Sequence, residues 1–495
     1  MSQVLRVARR YEEEKERGIL PEERPAFHLS SRVGWMNDPN GFSYHDGHYH
    51  LFYQYNPYHS HWDTMHWGHA VSKDLLHWEY LPAALAPDCH YDRDGCFSGS
   101  ALTMPDGRML IVYTGVVSEN LNPGGPRLIQ TQNIALGDGL DFSKYEGNPV
   151  LAEADLPEGG SPYDFRDPRI WQSADGNYRL AVANDVEGHG GQILLFESED
   201  AFDWNYKGCL ADNRNRFGKM WECPDFFGLD GKHVLLVSAQ DMLPQGLEYH
   251  NGNGTFYIIG NYDPETDLFS EETNHAADYG IDFYAPQTVL TPDGRRVMIA
   301  WMQNWDTCNR HRSSIPWFGQ MCIPRELSVK DGILYQQPIR ELSEYRKDPV
   351  FYENLLIRDR EIRLEGISGR LLDLEVELEA ENPDLLYRKF EIRYAADNIY
   401  HTSFSYRPDE KVAKIDRKFS GSRRAIIHQR RALAGDGSGR LKFRLILDRF
   451  SVEIFINNGQ KVMTATIYTD MSAEGISLIA DGSVRISVSG YRLDF

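Results

Sequence analysis

Across the first two thirds of the chain, apolar residues gather into short runs of strand length, and each run follows an Asp-Gly pair. The runs are HYHLFYQY, RMLIVYTG, NYRLAVAN, KHVLLVSA and RRVMIAWM. Asp-Gly flanked by such runs is the strongest short hairpin signal. The pairs begin at Asp46, Asp106, Asp175, Asp230 and Asp293, in steps of 60, 69, 55 and 63 residues. A unit of about 60 residues, repeated five times with short strands and tight turns, predicts a five-bladed β-propeller over residues 27–337.

After Gln337 the rhythm changes. Residues 338–352 (PIRELSEYRKDPVFY) read as a linker with a turn or two of helix. Over 353–495, the segments LLDLEVELEAE, KFEIRYA, RLKFRLILDRFSVEIFI, KVMTATIYT and ISLIADGSVRISVSG alternate apolar and polar residues, with a hairpin signal at Asn458-Gly459. That pattern predicts an antiparallel β-sandwich. Residues 1–26 form an N-terminal extension in which Val4–Gly18 reads as a charged helix ending at glycine. The fold class is therefore all-β: a propeller followed by a sandwich, with a short N-terminal helix.

Composition narrows the function. With 41% apolar and 25% charged residues the chain is a folded globular protein rather than a disordered one. A net charge of −21 argues against nucleic acid and anionic membranes as partners, since both need a positive surface. No apolar run approaches the roughly 18 residues of a membrane span. The first residues carry no apolar core of signal-peptide length, so the expected location is cytoplasmic. Six cysteines without a CxxC pair fit a reduced compartment. His45, His48, His50, His59, His61, His66, His69 and His77 crowd one early stretch, but no HExxH pattern accompanies them, and no metal is expected. The 12% aromatic content offers faces suited to sugars, although core packing uses the same residues.

Counting eight positions back from each turn aspartate reaches Asp38, Ser98, Asp167, Glu222 and Ala285. In a propeller, equal phase would bring these positions to the innermost strands and converge three carboxylates on one funnel. Two carboxyl groups flanking a bond, one ionised and one protonated, are the minimum apparatus of glycoside hydrolysis. Glu222, between Trp221 and Cys223-Pro224, has the drier local sequence and is the expected general acid/base. Asp38, held between Asn37 and Pro39, is the expected nucleophile. Asp167 is expected to stay ionised beside Arg166 and to stabilise oxocarbenium charge. A retaining course would set the Asp38 and Glu222 carboxyls about 5–5.5 Å apart.

The motifs WMNDPNG (Trp35–Gly41), YQYNP (Tyr53–Pro57), WGHA (Trp67–Ala70), FSGS (Phe97–Ser100), RDP (Arg166–Pro168), WECPDFF (Trp221–Phe227) and FYAPQ (Phe283–Gln287) resemble glycoside hydrolase family 32. Within it they are most similar to the bacterial sucrose and sucrose-6-phosphate hydrolases. The late SVEIFINNG (Ser451–Gly459) resembles the family's sandwich domain. The resemblance implies the same roles for Asp38, Glu222 and Asp167, with fructosyl contacts from Asn37, Gln54, Trp62, Ser98, Arg166, Tyr284 and Trp301. Trp35 and Phe97, from the first and fourth motifs, complete the candidate substrate-binding set. Trp35, Trp62, Trp67 and Trp301 can equally serve as packing aromatics, and Asn37 and Gln54 as partners of turn backbone. The activity implied is a retaining β-fructofuranosidase (invertase type) acting on sucrose, sucrose 6-phosphate or short fructo-oligosaccharides, with no cofactor. A fructosyltransferase using the same intermediate, an inverting arabinan-type hydrolase and a non-catalytic sugar-binding propeller are the alternatives. Arg310, His311 and Arg312 either reach a leaving-group phosphate or form a solvated charge run.

Overall fold

The structure is a computed structural model, and it describes residues 1–119, 127–308, 316–421 and 427–495. No helix among these residues is long and apolar enough to cross a membrane. The N-terminal part is a β-propeller. Five sheets follow one another along the chain, and their first strands are Gly34–His45, Gly95–Thr103, Arg166–Gln172, Trp221–Leu229 and Tyr284–Leu290. We number these sheets I to V. Each first strand touches the next, and that of sheet V touches that of sheet I, so the five inner strands close a ring. The chain seals the ring between the second and third strands of sheet V, Arg296–Trp301 and Arg325–Lys330, where Trp317–Phe318 pairs in parallel with Gly34 and Trp35.

Hairpin geometry differs between sheets. In sheets I and IV the strands join through two residues, Asp46-Gly47 and Asp230-Gly231, with φ of 44°, 78°, 51° and 76°. Positive φ at both positions is the I′ turn that matches strand twist. In sheets II, III and V a third residue enters: Met104, Ser173 and Thr291 donate N–H across the loop to Arg108, Asn177 and Arg295, each at 2.8 Å. That one-residue difference matters at the site.

The sandwich has two six-stranded sheets. The strand Leu372–Ala380 alternates buried leucine and valine with more exposed glutamate, as its sequence pattern required. The segment expected as a linker with a turn or two of helix carries a 3₁₀ helix, Arg340–Tyr345, and then, in place of linker, the start of strand Arg346–Arg358, an edge strand paired with Ser483–Leu493. Asp348 and Asn354 both take positive φ at bulges in this strand, which hid its alternation. The N-terminal helix, Gln3–Glu16, is capped by Ser2, whose Oγ accepts from Leu5 N–H at 3.1 Å. It is fastened to sheet I through Arg9, which donates to Ala83 O at 2.9 Å, and through Arg32, paired with Glu12 and Glu16.

Propeller and sandwich meet across buried charge. His28 of the propeller lies between Asp448 and Glu453 of the sandwich at 2.7 and 3.0 Å, and Glu453 also binds the buried Arg325. Burial opposes charge on His28, but its bonds to the two carboxylates outweigh that and raise its pKa to about 9. The folded state thus holds this proton more tightly than the unfolded chain. Stability from it is complete below about pH 6.5 and is lost as pH rises through 9. We expect His28→Ala to cost about 3 kcal/mol at pH 7, by uncovering two buried carboxylates. Melting temperatures between pH 6 and 9.5 should fall steeply for the wild type and much less for the variant; parallel curves would contradict the assignment.

Candidate active site

A cavity of about 440 Å³ opens where the inner strands converge. Asn37, Asp38, Gln54, Trp62, Phe97, Ser98, Arg166, Asp167 and Glu222 all line it. A larger, open groove of about 710 Å³ crosses the sandwich, but its lysine and arginine side chains are spent on neighbouring glutamates, among them Lys442 on Glu377 at 3.2 Å.

β-Bulges aim the functional side chains. Every inner strand slips register at this level, and in sheets III, IV and V the bulge has one design. A residue with positive φ precedes a proline: Asp167 (63°), Cys223 (49°) and Ala285 (52°). Such bulges bend a strand and redirect its side chains. The residue before each bulge still pairs with the second strand: Arg166 opposite Ala183, Glu222 opposite Ser238, Tyr284 opposite Trp301. Glu222 is therefore equivalent to Arg166 and Tyr284, and Cys223 to Asp167. The count of eight misplaces Glu222 by one position because the hairpin of sheet IV is one residue shorter than those of sheets III and V.

The equivalent trio is bonded together. Arg166 donates from Nε and Nη2 to Glu222 Oε1 at 3.1 and 3.0 Å, and Tyr284 donates its hydroxyl to Glu222 Oε2 at 2.7 Å. Both oxygens of Glu222 are thus fixed. Arg166 does not pair with Asp167, as the sequence argument expected; its remaining bonds go to Asp164 at 3.3 Å and Gln130 at 3.4 Å.

Asp38 accepts from Ser98 Oγ at 2.8 Å through Oδ2, while its Oδ1 is buried from solvent and without a hydrogen-bond partner among the described residues. Asp167 accepts from the Cys223 N–H at 2.9 Å. The Cys223 sulfur touches Asp38 Oδ2 at 3.6 Å and Asp167 Oδ2 at 3.5 Å, so one side chain spans both acids. Burial, reinforced by the acids themselves, pushes this thiol well up, which keeps it a proton donor. Burial first and the Glu222 charge second push Asp38 up to about 6. Burial also raises Asp167; the Arg166 charge opposes this, and those of Glu222 and Asp38 add to it. Burial, with the two neighbouring acids behind it, thus outweighs the Arg166 charge on which the expectation of an ionised Asp167 rested.

Trp35, Tyr284 and Trp301 lie behind the cavity lining. Trp35 stacks on Phe318 with ring centroids 5.0 Å apart and donates Nε1–H to Asn37 Oδ1 at 2.7 Å, fixing that amide. Trp301 is fully buried and packs against Trp305 at 4.9 Å. Gln54 donates to Cys96 O at 3.0 Å, and Trp62, 44% exposed, forms the rim with its edge toward Phe97. Leu128, Gln130, Tyr163, Asp164, Gln240 and Trp305 also line the cavity, yet sequence reasoning passed them over. They come from loops and outer strands, where no repeat phase marks them; Asp164 alone had a signal, two residues before Arg166. Arg310, His311 and Arg312 lie outside the described residues. Among those residues, the group with metal-ligand donors is Asp88, Cys89 and Asp92, where Lys144 Nζ already contacts both carboxylates.

Three carboxylic acids gathered in one propeller funnel, one of them a glutamate held at both oxygens, have the layout of a glycoside hydrolase. Comparison with known proteins agrees. The profile of the glycosyl hydrolases family 32 N-terminal domain matches residues 28–338, and that of the family's C-terminal domain matches residues 341–492. The chain is 34% identical to the raffinose invertase of Escherichia coli, with 92% of each chain covered. It is also 34% identical to an Escherichia coli sucrose-6-phosphate hydrolase, with 94% of each covered. Among solved structures, a mutant of the Bombyx mori GH32 beta-fructofuranosidase in complex with sucrose matches with a TM-score of 0.82 at 33% identity, covering 99% of this chain and 97% of that one. The chain belongs to glycoside hydrolase family 32.

Proposed function

We propose that this enzyme is a retaining β-fructofuranosidase that hydrolyses sucrose, sucrose 6-phosphate or both, and short fructo-oligosaccharides, through a covalent fructosyl-enzyme intermediate. The observation that carries the reading is that Asp38 and Asp167 line the same cavity as a Glu222 carboxyl fixed by Arg166 and Tyr284. The Asp38 carboxylate attacks the anomeric carbon of the fructosyl unit while Glu222 protonates the leaving glucosyl oxygen. Glu222 then takes a proton from water, which attacks the same carbon and releases fructose. Asp167 stays off the covalent path and holds sugar hydroxyls as charge develops on the ring. The relatives named for sucrose-6-phosphate and raffinose, and the neighbour holding sucrose, support this substrate class.

Incubation with sucrose, counting both products, tests it. Equal glucose and fructose mean hydrolysis, and glucose in excess means transfer to an acceptor sugar. No release from sucrose, its 6-phosphate or raffinose would overturn the reading. A second test concerns pH. The acid limb of kcat/KM should follow ionisation of the Asp38–Glu222 pair, in which burial raises Asp38 above the ordinary carboxylate range. Ser98→Ala removes a hydrogen bond to the charged form, which is worth about 1.5–3 kcal/mol. The limb should then move up by about one to two pH units. A limb that stays in place would separate Asp38 from the titration.

A further inference from the structure

The sandwich reaches the cavity through one buried carboxylate. Arg417, a sandwich residue only 1% exposed, donates Nη1–H to Asp282 Oδ2 at 2.5 Å and to Thr466 Oγ1 at 2.8 Å. The Thr466 N–H, also from the sandwich, binds the same Asp282 oxygen at 2.8 Å. Asp282 belongs to the propeller and is fully buried two residues before Tyr284, whose hydroxyl holds Glu222. Its other oxygen, Oδ1, accepts from Thr307 Oγ1 at 3.2 Å, a hydroxyl whose single proton is shared with Asn304 O at 3.1 Å.

Thr307 closes a tight turn in which the N–H groups of Thr307 and Cys308 both donate to Asn304 O at 2.9 Å. Trp305 stands in that turn and lines the cavity. The turn's other anchors are in the propeller: Asn304 Nδ2 donates to Asn253 O at 2.7 Å, and Asn253 donates twice to Asp306, each time at 3.0 Å. Trp305 in turn packs on Trp301 and, at 6.3 Å, on Trp35, which fixes Asn37. Neither Arg417 nor Asp282 lines the cavity.

We propose that Arg417 is a positioning residue: acting through Asp282 and Thr307, it fixes Trp305, so that the sandwich helps set sugar affinity in the propeller cavity. A short turn fastened by a few hydrogen bonds is easily displaced, and a shift of about 1 Å in a group that positions substrate can cost as much as 10²-fold in rate. The inference rests on the cavity being the sugar site.

Three variants of the full chain test it, with KM, kcat and melting temperature measured on whichever of sucrose, sucrose 6-phosphate and raffinose the wild type cleaves. Thr307→Val leaves the Arg417–Asp282 pair intact and removes the hydroxyl's bonds to Asp282 and to Asn304 O within the turn. We expect its KM to rise about tenfold, with kcat within about threefold and little change in melting temperature. Arg417→Lys should raise KM similarly, with a lower melting temperature as well. In a Trp305→Ala background neither change should raise KM further, because the residue they act through is gone. A merely structural role lowers the fraction folded, which reduces apparent kcat and leaves KM untouched. Unchanged KM in folded Thr307→Val and Arg417→Lys, or effects that multiply with Trp305→Ala, would overturn the proposal. If Arg417→Lys does not fold, Arg417→Gln, which keeps a donor for Asp282, takes its place beside Thr307→Val. A wild type that cleaves none of the three sugars removes the reading of the cavity and this inference together.

Discussion

Asp38→Asn should leave a protein that folds and binds sucrose but turns it over about 10⁴-fold more slowly or worse, the scale on which loss of a covalent nucleophile is felt. The amide can still accept from Ser98, so the local bonding is preserved while the attacking charge is lost. The same substitution should stabilise the fold at neutral pH. Burial and the Glu222 charge push Asp38 up to about 6, against an ordinary 3.8. The folded state therefore favours the neutral acid. Its contribution to stability is complete below about pH 3.8 and is lost as pH rises through 6. Above that, the ionised carboxylate costs on the order of 3 kcal/mol, which an uncharged asparagine avoids. Calorimetry should show a higher melting temperature for the variant at pH 8 and nearly equal values at pH 4. A lower melting temperature at pH 8 would mean that Asp38 is not a destabilising charge. Retained turnover would remove it from the chemistry.

Much of this architecture is legible because propeller sheets are built from local hairpins. Asp-Gly turns report themselves in sequence, and a strand buried on both faces reads as an unbroken apolar run, as RMLIVYTG does. Turn length is less legible. Asp230-Gly231 forms a two-residue turn and Asp175-Gly176 sits in a three-residue one, yet both read as the same dipeptide, and the phase of Glu222 shifts by one residue as a result. That shift is chemically decisive, since it sets Glu222 level with Arg166 and Tyr284 instead of Asp167. Electrostatics was the least legible part. Adjacency of Arg166 and Asp167 suggested a pair, but the positive-φ bulge at Asp167 redirects its carboxylate to the Cys223 N–H, and the guanidinium finds Glu222 from another sheet. The strand Arg346–Arg358 was hidden by bulges at Asp348 and Asn354, which break the alternation that makes a strand readable. Trp305 and Tyr163 entered from loops whose positions depend on tertiary contacts alone.

Glu222→Gln should lower kcat/KM on sucrose by about 10²–10⁴-fold, the range that general acid–base catalysis supplies. The side chain keeps its length, and its carbonyl oxygen can accept from either Tyr284 or Arg166, so the loss belongs to proton transfer more than to collapse of the site. What disappears is the proton for the leaving glucosyl oxygen in the first step and the base for water in the second. A fructosyl donor with a good leaving group, such as a fluoride, needs no protonation to depart. Its first step should survive in the variant, and release of fructose should then lag behind release of fluoride, because the remaining step still lacks its base. A burst of leaving group followed by slow turnover is the expected signature, and it would report the covalent intermediate at Asp38 directly. Adding Asp38→Asn to the same protein should abolish the burst. Equal losses on sucrose and on the activated donor, without a burst, would assign Glu222 to holding Arg166 and Tyr284 in place and leave the acid to be sought elsewhere in the cavity.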